Sequence, residues 1–272
     1  MNNTENQTLP NQEQNISNHP QESIHDVLKE MEAVLQTTQS KSDKRGYFAA
    51  IYQAETVHVR DAIDQDRFVR PDLIEALAVK FARRYLDAYY AYDERMPITK
   101  AWYVAFDATR KPQPCVLQHI LMGINAHINL DLGLSVAETV PKGELSSIEE
   151  DFERVNVLIA EMTDVVQDRI GLVSPWMKWI DRLGGRVDEY FFRRVVDYSR
   201  DQAWEVAEKA QTLDRLEYDM LVDEVDDSVY TLGRTILTPA PITRSLMNVA
   251  RLREQSNVGN VIDSLLTKMA IA

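Results

Sequence analysis

A single cysteine, Cys115, stands in 272 residues, which excludes an internal disulfide and any multi-cysteine metal site. A reducing, cytoplasmic setting suits such a chain. The neighbours Pro114, Val116 and Leu117 bring no base or cation, so an inert, partly buried thiol is expected rather than a nucleophile. Glycine is also scarce, 9 in the whole chain, and alternation of the strand type is absent. With 3.6-residue periodicity nearly throughout, one all-α, bundle-like domain is expected. There is no Gly-rich phosphate loop, no Gly-x-Ser-x-Gly elbow and no His-Glu-x-x-His zinc motif, so several large enzyme classes lose support. No apolar run approaches about 18 residues, and no membrane span is expected. Positive charge is in deficit as well. Forty-three acids against 30 bases leave a net charge of −13, spread along the chain, which repels polyanions and argues against nucleic acid as a partner. The local groups Lys80, Arg83 and Arg84, and Arg193 with Arg194, sit among acids at helical spacing and read as solvated faces.

Residues 1–22 are rich in Asn, Gln, Glu and Pro and lack the basic start and apolar stretch of a signal peptide, so they read as a disordered tail ahead of a helical domain over 23–272. Ser23 then caps a stripe of Ile24, Val27, Leu28, Met31, Val34 and Leu35, expected to pack on the body or on another copy of the chain. Further helices are expected over about 44–64, 71–95, from Pro97 to the turn at 111–114, and over 115–138. Others follow from a Ser146/Glu149 capping box to about Arg169, over 187–213 and 216–238, and as a final pair around Gly259. A short aromatic helix around Trp176 and Trp179 is expected between Gly171 and Gly185.

What is present, and unusual, is charge on an apolar face. With successive residues about 100° apart, His127 and Asp131 fall inside the sector centred on Ile120, Ile124 and Leu134. A buried imidazole or carboxylate without a partner costs several kcal/mol, so the two are expected to be paired, hydrated or ion-bound. Gln118, Asn125 and Asn129 form a second polar ridge on another side. His119 lies two turns from His127 and is expected to share its cleft without touching the same atom.

Two readings stay open. In one, the histidine is held by the carboxylate and the asparagines bond across helices, with no chemistry attached. In the other, His127 and Asp131 form half of a metal or acid-base site, with Glu55 and His58 of the second helix supplying the rest. A carboxylate and a histidine three apart on each of two helices builds helical di-iron and di-manganese sites. Here only Glu55-Thr-Val-His58 has that pattern, and His127 with Asp131 departs from it. A mononuclear set of His58, His127 and Asp131 asks for less, and iron, manganese or zinc would suit it. Without metal, His127 would be a general base whose tautomer Asp131 fixes, and Arg200 or Arg234 would be the cation that settles Asp131. Asp151 reads as a helix-start acid. Tyr85, Tyr89, Tyr90, Tyr92 and Tyr103 read as an aromatic belt in the core. The expected function is accordingly an enzyme acting on a small, partly apolar substrate, or else a binding or scaffold protein whose polar segment is only a network.

The run Asn125 to Leu132 (Asn-Ala-His-Ile-Asn-Leu-Asp-Leu), preceded by Leu117-Gln-His119, resembles a bacterial family of helical proteins of unknown function. The resemblance extends more loosely to Asp66-Arg67-Phe68 and to Phe81-Ala-Arg-Arg-Tyr85, spanning about Tyr47 to Pro239. It implies a helical fold and points to His127, Asn129 and Asp131, without supplying a mechanism.

Overall fold

Ser23 opens the first helix by a reciprocal box with Asp26, satisfying two of the amide groups that a helix start leaves bare. The structure, a computed structural model, describes residues 22–173, 187–239, 241, 245, 247, 251, 252, 254 and 256–266. Ten α-helices and no strand occur among the described residues. They are α1 (Ile24–Ser40), α2 (Gly46–Asp64), α3 (Pro71–Asp93), α4 (Lys100–Thr109), α5 (Val116–Ala126), α6 (Gly133–Thr139), α7 (Glu149–Val173), α8 (Val187–Thr212), α9 (Arg215–Leu237) and α10 (Val258–Leu266). Between α5 and α6 the helix continues as a π-helical turn, His127–Leu132. The tail over 1–21 and the aromatic helix around Trp176 fall outside the described residues. Glu22, read as part of that tail, pairs with Arg83 at 2.7 Å.

The stripe of α1 is buried within the chain itself, every member at 8% exposure or less, against α2, α3 and α10. The segment Val116–Thr139 is the hub. It is long and apolar enough to cross a membrane, contrary to the reading of its composition, yet 72% of its most apolar stretch is buried inside the fold. Close packing on this hub relies on missing side chains. A Cβ on Gly123 would lie 2.2 Å from the Phe48 ring, and one on Gly133 2.5 Å from the Ala203 carbonyl of α8, so α2 and α8 approach only because these positions are bare.

Several helix starts take a cap from a remote carboxylate, those of α3 and α4 without any side-chain cap of their own. Asp151 of α7 accepts from the Val69 and Arg70 amides before α3, at 2.8 and 2.6 Å. Asp226 of α9 accepts from Lys100 and Ala101 at 2.8 and 2.9 Å. Glu254 accepts from Val116 at the start of α5. Each bond combines amide satisfaction with negative charge at the positive end of a helix. Asp151 is therefore a clamp on the α3 start as well as a first-turn acid of its own helix.

Four boundaries differ from the sequence reading. Pro97 does not open α4, which starts at Lys100 under the Asp226 cap. Ser146 lies in a 3₁₀ turn, Leu145–Ser147, ahead of α7. Gly171 and Gly259 lie inside α7 and α10. A helical glycine costs about 1 kcal/mol, which tertiary packing overrides.

Candidate functional site

His127 and Asp131 are one turn apart on the π-helical segment and both are buried, at 3% and 2% exposure. His127 Nδ1 faces Asp131 Oδ2 at 3.4 Å. The same oxygen accepts from the indole Nε1 of Trp102 at 2.8 Å. Trp102, on α4, is therefore the partner that settles the carboxylate, in place of the arginine expected there. Trp102 is not among the residues that the sequence pattern singles out. The overlooked signal is that a buried tryptophan nearly always aims its N–H at an acceptor.

Aromatic rings enclose the imidazole. Phe81 stacks on it with centroids 3.5 Å apart, Tyr52 meets it edge-on at 4.1 Å, and Phe48 stands at 5.7 Å. Burial lowers the His127 pKa, opposed by its hydrogen bond to Asp131 and by the charge of that group. The ring is thus neutral, and the carboxylate beside Nδ1 holds the proton on that atom. Nε2 is left as a buried acceptor with no hydrogen-bond partner among the described residues. Desolvation raises the Tyr52 hydroxyl pKa well above its ordinary value, with the Asp131 charge adding to the effect. A π-helical turn is itself a rare form that frequently occurs at functional sites.

Tyr52 and Phe81 have a second surface, turned toward a cleft between α2, α3, α7 and α8 with an empty volume of about 590 Å³ including its open mouth. Its walls are mostly apolar, with Ile74, Leu77, Leu132 and Phe152 among them. Besides Tyr52, the polar residues on the walls among the described residues are Glu55, Thr56 and Arg200. Thr56 donates its hydroxyl to the Tyr52 carbonyl at 2.8 Å. The Arg200 guanidinium lies over the Phe152 ring, 4.7 Å from its centroid. Glu55 makes no hydrogen bond among the described residues, and burial pushes its pKa up to about 7 against the opposing charge of Arg200. Acids moved this far toward neutrality by burial cluster at functional sites.

The remaining candidates disperse. His58 is a turn beyond Glu55, half-buried, with Nδ1 3.4 Å from the Ala54 carbonyl, and it does not line the cleft. Among the described residues no three His, Cys, Asp or Glu side chains are grouped so as to hold one ion. Neither the two-metal arrangement of Glu55, His58, His127 and Asp131 nor the mononuclear set is assembled there. His119 is buried near Tyr47, outside the cleft, with no hydrogen bond to either ring nitrogen among the described residues. Desolvation, with Lys44 adding to it, pushes its pKa down to about 3. Asn125 donates to the Val229 carbonyl of α9 at 2.9 Å and accepts from Asn129 at 2.9 Å. Gln118 donates to the Ile236 carbonyl at 2.8 Å. That ridge bolts the hub to α9. Arg234 is exposed on α9, its Nη1 3.5 Å from the Tyr230 hydroxyl, and takes no part. Burial pushes the Cys115 thiol up to about 11, which leaves it unreactive. Of the tyrosine belt, Tyr85, Tyr89 and Tyr92 are buried core, while Tyr90 and Tyr103 are exposed.

No curated protein and no solved structure matches this chain. A model described as a family of unknown function matches residues 24–239, from the first residue of α1 to just beyond α9. Over that span, which holds the π-helical turn, its aromatic enclosure and the whole cleft, the chain belongs to the family of unknown function DUF5995.

Proposed function

We propose that the protein binds a small, partly apolar molecule in the cleft between α2, α3, α7 and α8. The observation that carries this is the cleft itself: apolar walls interrupted by a few polar groups at fixed places, the usual composition of a small-molecule site. In this reading the His127–Asp131–Trp102 network is a frame. It holds the inner wall, Tyr52 and Phe81, against the π-helical turn. The test is a thermal melt and titration calorimetry with ethylbenzene as an apolar probe, on the native chain and on Ala78→Trp and Ala78→Leu, which add volume at the cleft wall. Saturable binding that Ala78→Leu weakens and Ala78→Trp removes, in variants with unchanged helical circular dichroism, is the expected result. Equal binding by all three proteins would place the ligand elsewhere.

A second reading, acid-base catalysis in the same cleft, is favoured by one observation. His127 Nε2 is a buried acceptor without a partner among the described residues, on a ring that stacks against the cleft-lining Phe81. If Phe81 swings aside, His127 can accept a proton from a bound substrate while Asp131 stabilises the resulting cation. Phe81→Ala would then raise turnover of a reactive probe ester or ketone, and His127→Gln would abolish it. Turnover indifferent to His127→Gln would dispose of this reading and leave the binding one in place.

A further inference from the structure

We propose that the groove between α1, α2 and α7 is a docking site for an amphipathic helix, that α10 fills it as a built-in ligand, and that a partner helix of the same apolar spacing displaces α10. This does not depend on the cleft reading above. Walls and filler differ in one respect: α1, α2 and α7 lie inside the span that matches the family model, residues 24–239, and α10 lies beyond it. Packed on those three helices, α10 presents Val258, Val261, Ile262 and Leu265, spaced i, i+3, i+4 and i+7, and all four are buried. That is the anchor spacing of helices that bind in grooves. Its other side, with Asn260 and Asp263, is exposed.

The groove is shaped for such a helix. A Cβ on Gly46, the first residue of α2, would lie 2.4 Å from Ile262 Cδ1 and 2.5 Å from Thr38 Oγ1, so Ile262 enters a socket that exists only because this position is bare. Beside it, Gln39 of α1 donates to Asp263 at 2.6 Å. α10 also brings its own start signal, since the Asn257 side chain accepts from the Asn260 amide at 2.9 Å, a local cap. Yet its nine residues fall short of the ~12–15 at which an isolated helix becomes even marginal in water, so α10 folds as it docks. A short element beyond α9, packed through one face only, opens at less cost than the core. Once it opens, the groove is bare for another helix.

The experiment puts the full chain through two measurements. In native-state hydrogen exchange, the amides of Ile262 and Leu265 are expected to exchange at least about tenfold faster than those of Met122 and Ala126 in the hub. Equal rates would make α10 part of the core and overturn the proposal. In the second, a fluorescent peptide of residues 256–268 is titrated by anisotropy against the native chain and against Ile262→Asp, which sets a charge in the Gly46 socket. The variant is expected to keep its helical circular dichroism and to bind the peptide about a hundredfold more tightly than the native chain, the factor imposed by a groove open in about 1% of molecules. A peptide carrying the same Ile262→Asp change is expected not to bind. Failure of the folded variant to bind, equal binding by the two chains, or loss of most of the helical signal in the variant would each overturn the proposal. A native dimer in ultracentrifugation that Ile262→Asp dissolves would place a second copy's α10 in the groove and overturn the built-in arrangement.

Discussion

The two polar faces of the hub helix are built from similar side chains and end in different states. On one, Gln118, Asn125 and Asn129 find partners on α9 or on each other, at 2.8–2.9 Å. On the other, Asp131 is satisfied by Trp102, but His127 Nε2 has no partner among the described residues. A closed network fixes packing and is complete without a ligand. An open one next to a cleft leaves hydrogen-bonding capacity that something else can take up. That contrast, more than the presence of histidine, separates the two faces of this helix.

The comparison breaks most visibly at Asp131. Asp131→Ala orphans the Trp102 N–H and the His127 Nδ1–H in a dry interior, and a loss of about 3–5 kcal/mol in urea denaturation is expected. A loss below about 1 kcal/mol would mean that the aromatic enclosure stands without its carboxylate. Next comes Glu55, through pH. Its folded pKa of about 7 lies above that of an ordinary glutamate, so the folded chain binds the proton more tightly. Stability is therefore highest below about pH 4.5 as far as this group is concerned, and declines as pH rises to 7, by no more than about 3 kcal/mol. Glu55→Gln should be flat over that window, and a native chain equally flat would show that Glu55 is well solvated.

His119 works in the opposite sense. With its pKa depressed to about 3, its contribution is complete above pH 6.5 and is lost as pH falls toward 3. His119→Phe should lessen acid unfolding there, measured by circular dichroism. On the closed face, Asn125→Ala leaves the Val229 carbonyl and the Asn129 amide unpaired and should cost about 1–3 kcal/mol without changing ligand affinity. An affinity change of tenfold would tie that ridge to the cleft. Smallest of all, Arg234→Ala should fall within about 0.5 kcal/mol of the native chain, because the side chain is exposed.

Much of the fold was readable where its determinants are local. Ser23 and its heptad-like stripe marked α1, Pro71 marked the start of α3, and the dense apolar run after Cys115 marked the hub. Boundaries set by remote groups were not readable: Lys100 begins α4 because a carboxylate 126 residues away accepts its amide, and no window around Pro97 contains that fact. The π-helical turn is likewise a matter of hydrogen-bond register, which composition does not encode. At the site, the spacing of His127 and Asp131 was enough to pair them, since four residues on a helix are neighbours. Glu55 and Arg200 were singled out individually but assigned to other tasks, Glu55 to a metal and Arg200 to Asp131. Which helices face each other is settled by tertiary packing, including the bare Cα positions of Gly123 and Gly133, and only that packing shows the two sharing one cleft.

The most direct measurement is an anomalous diffraction map from crystals of the protein soaked with 4-bromobenzyl alcohol. A bromine peak inside the cleft between α2, α3, α7 and α8 is the predicted result. Bromine confined to the outer surface at saturating ligand, with the cleft holding none, would contradict it.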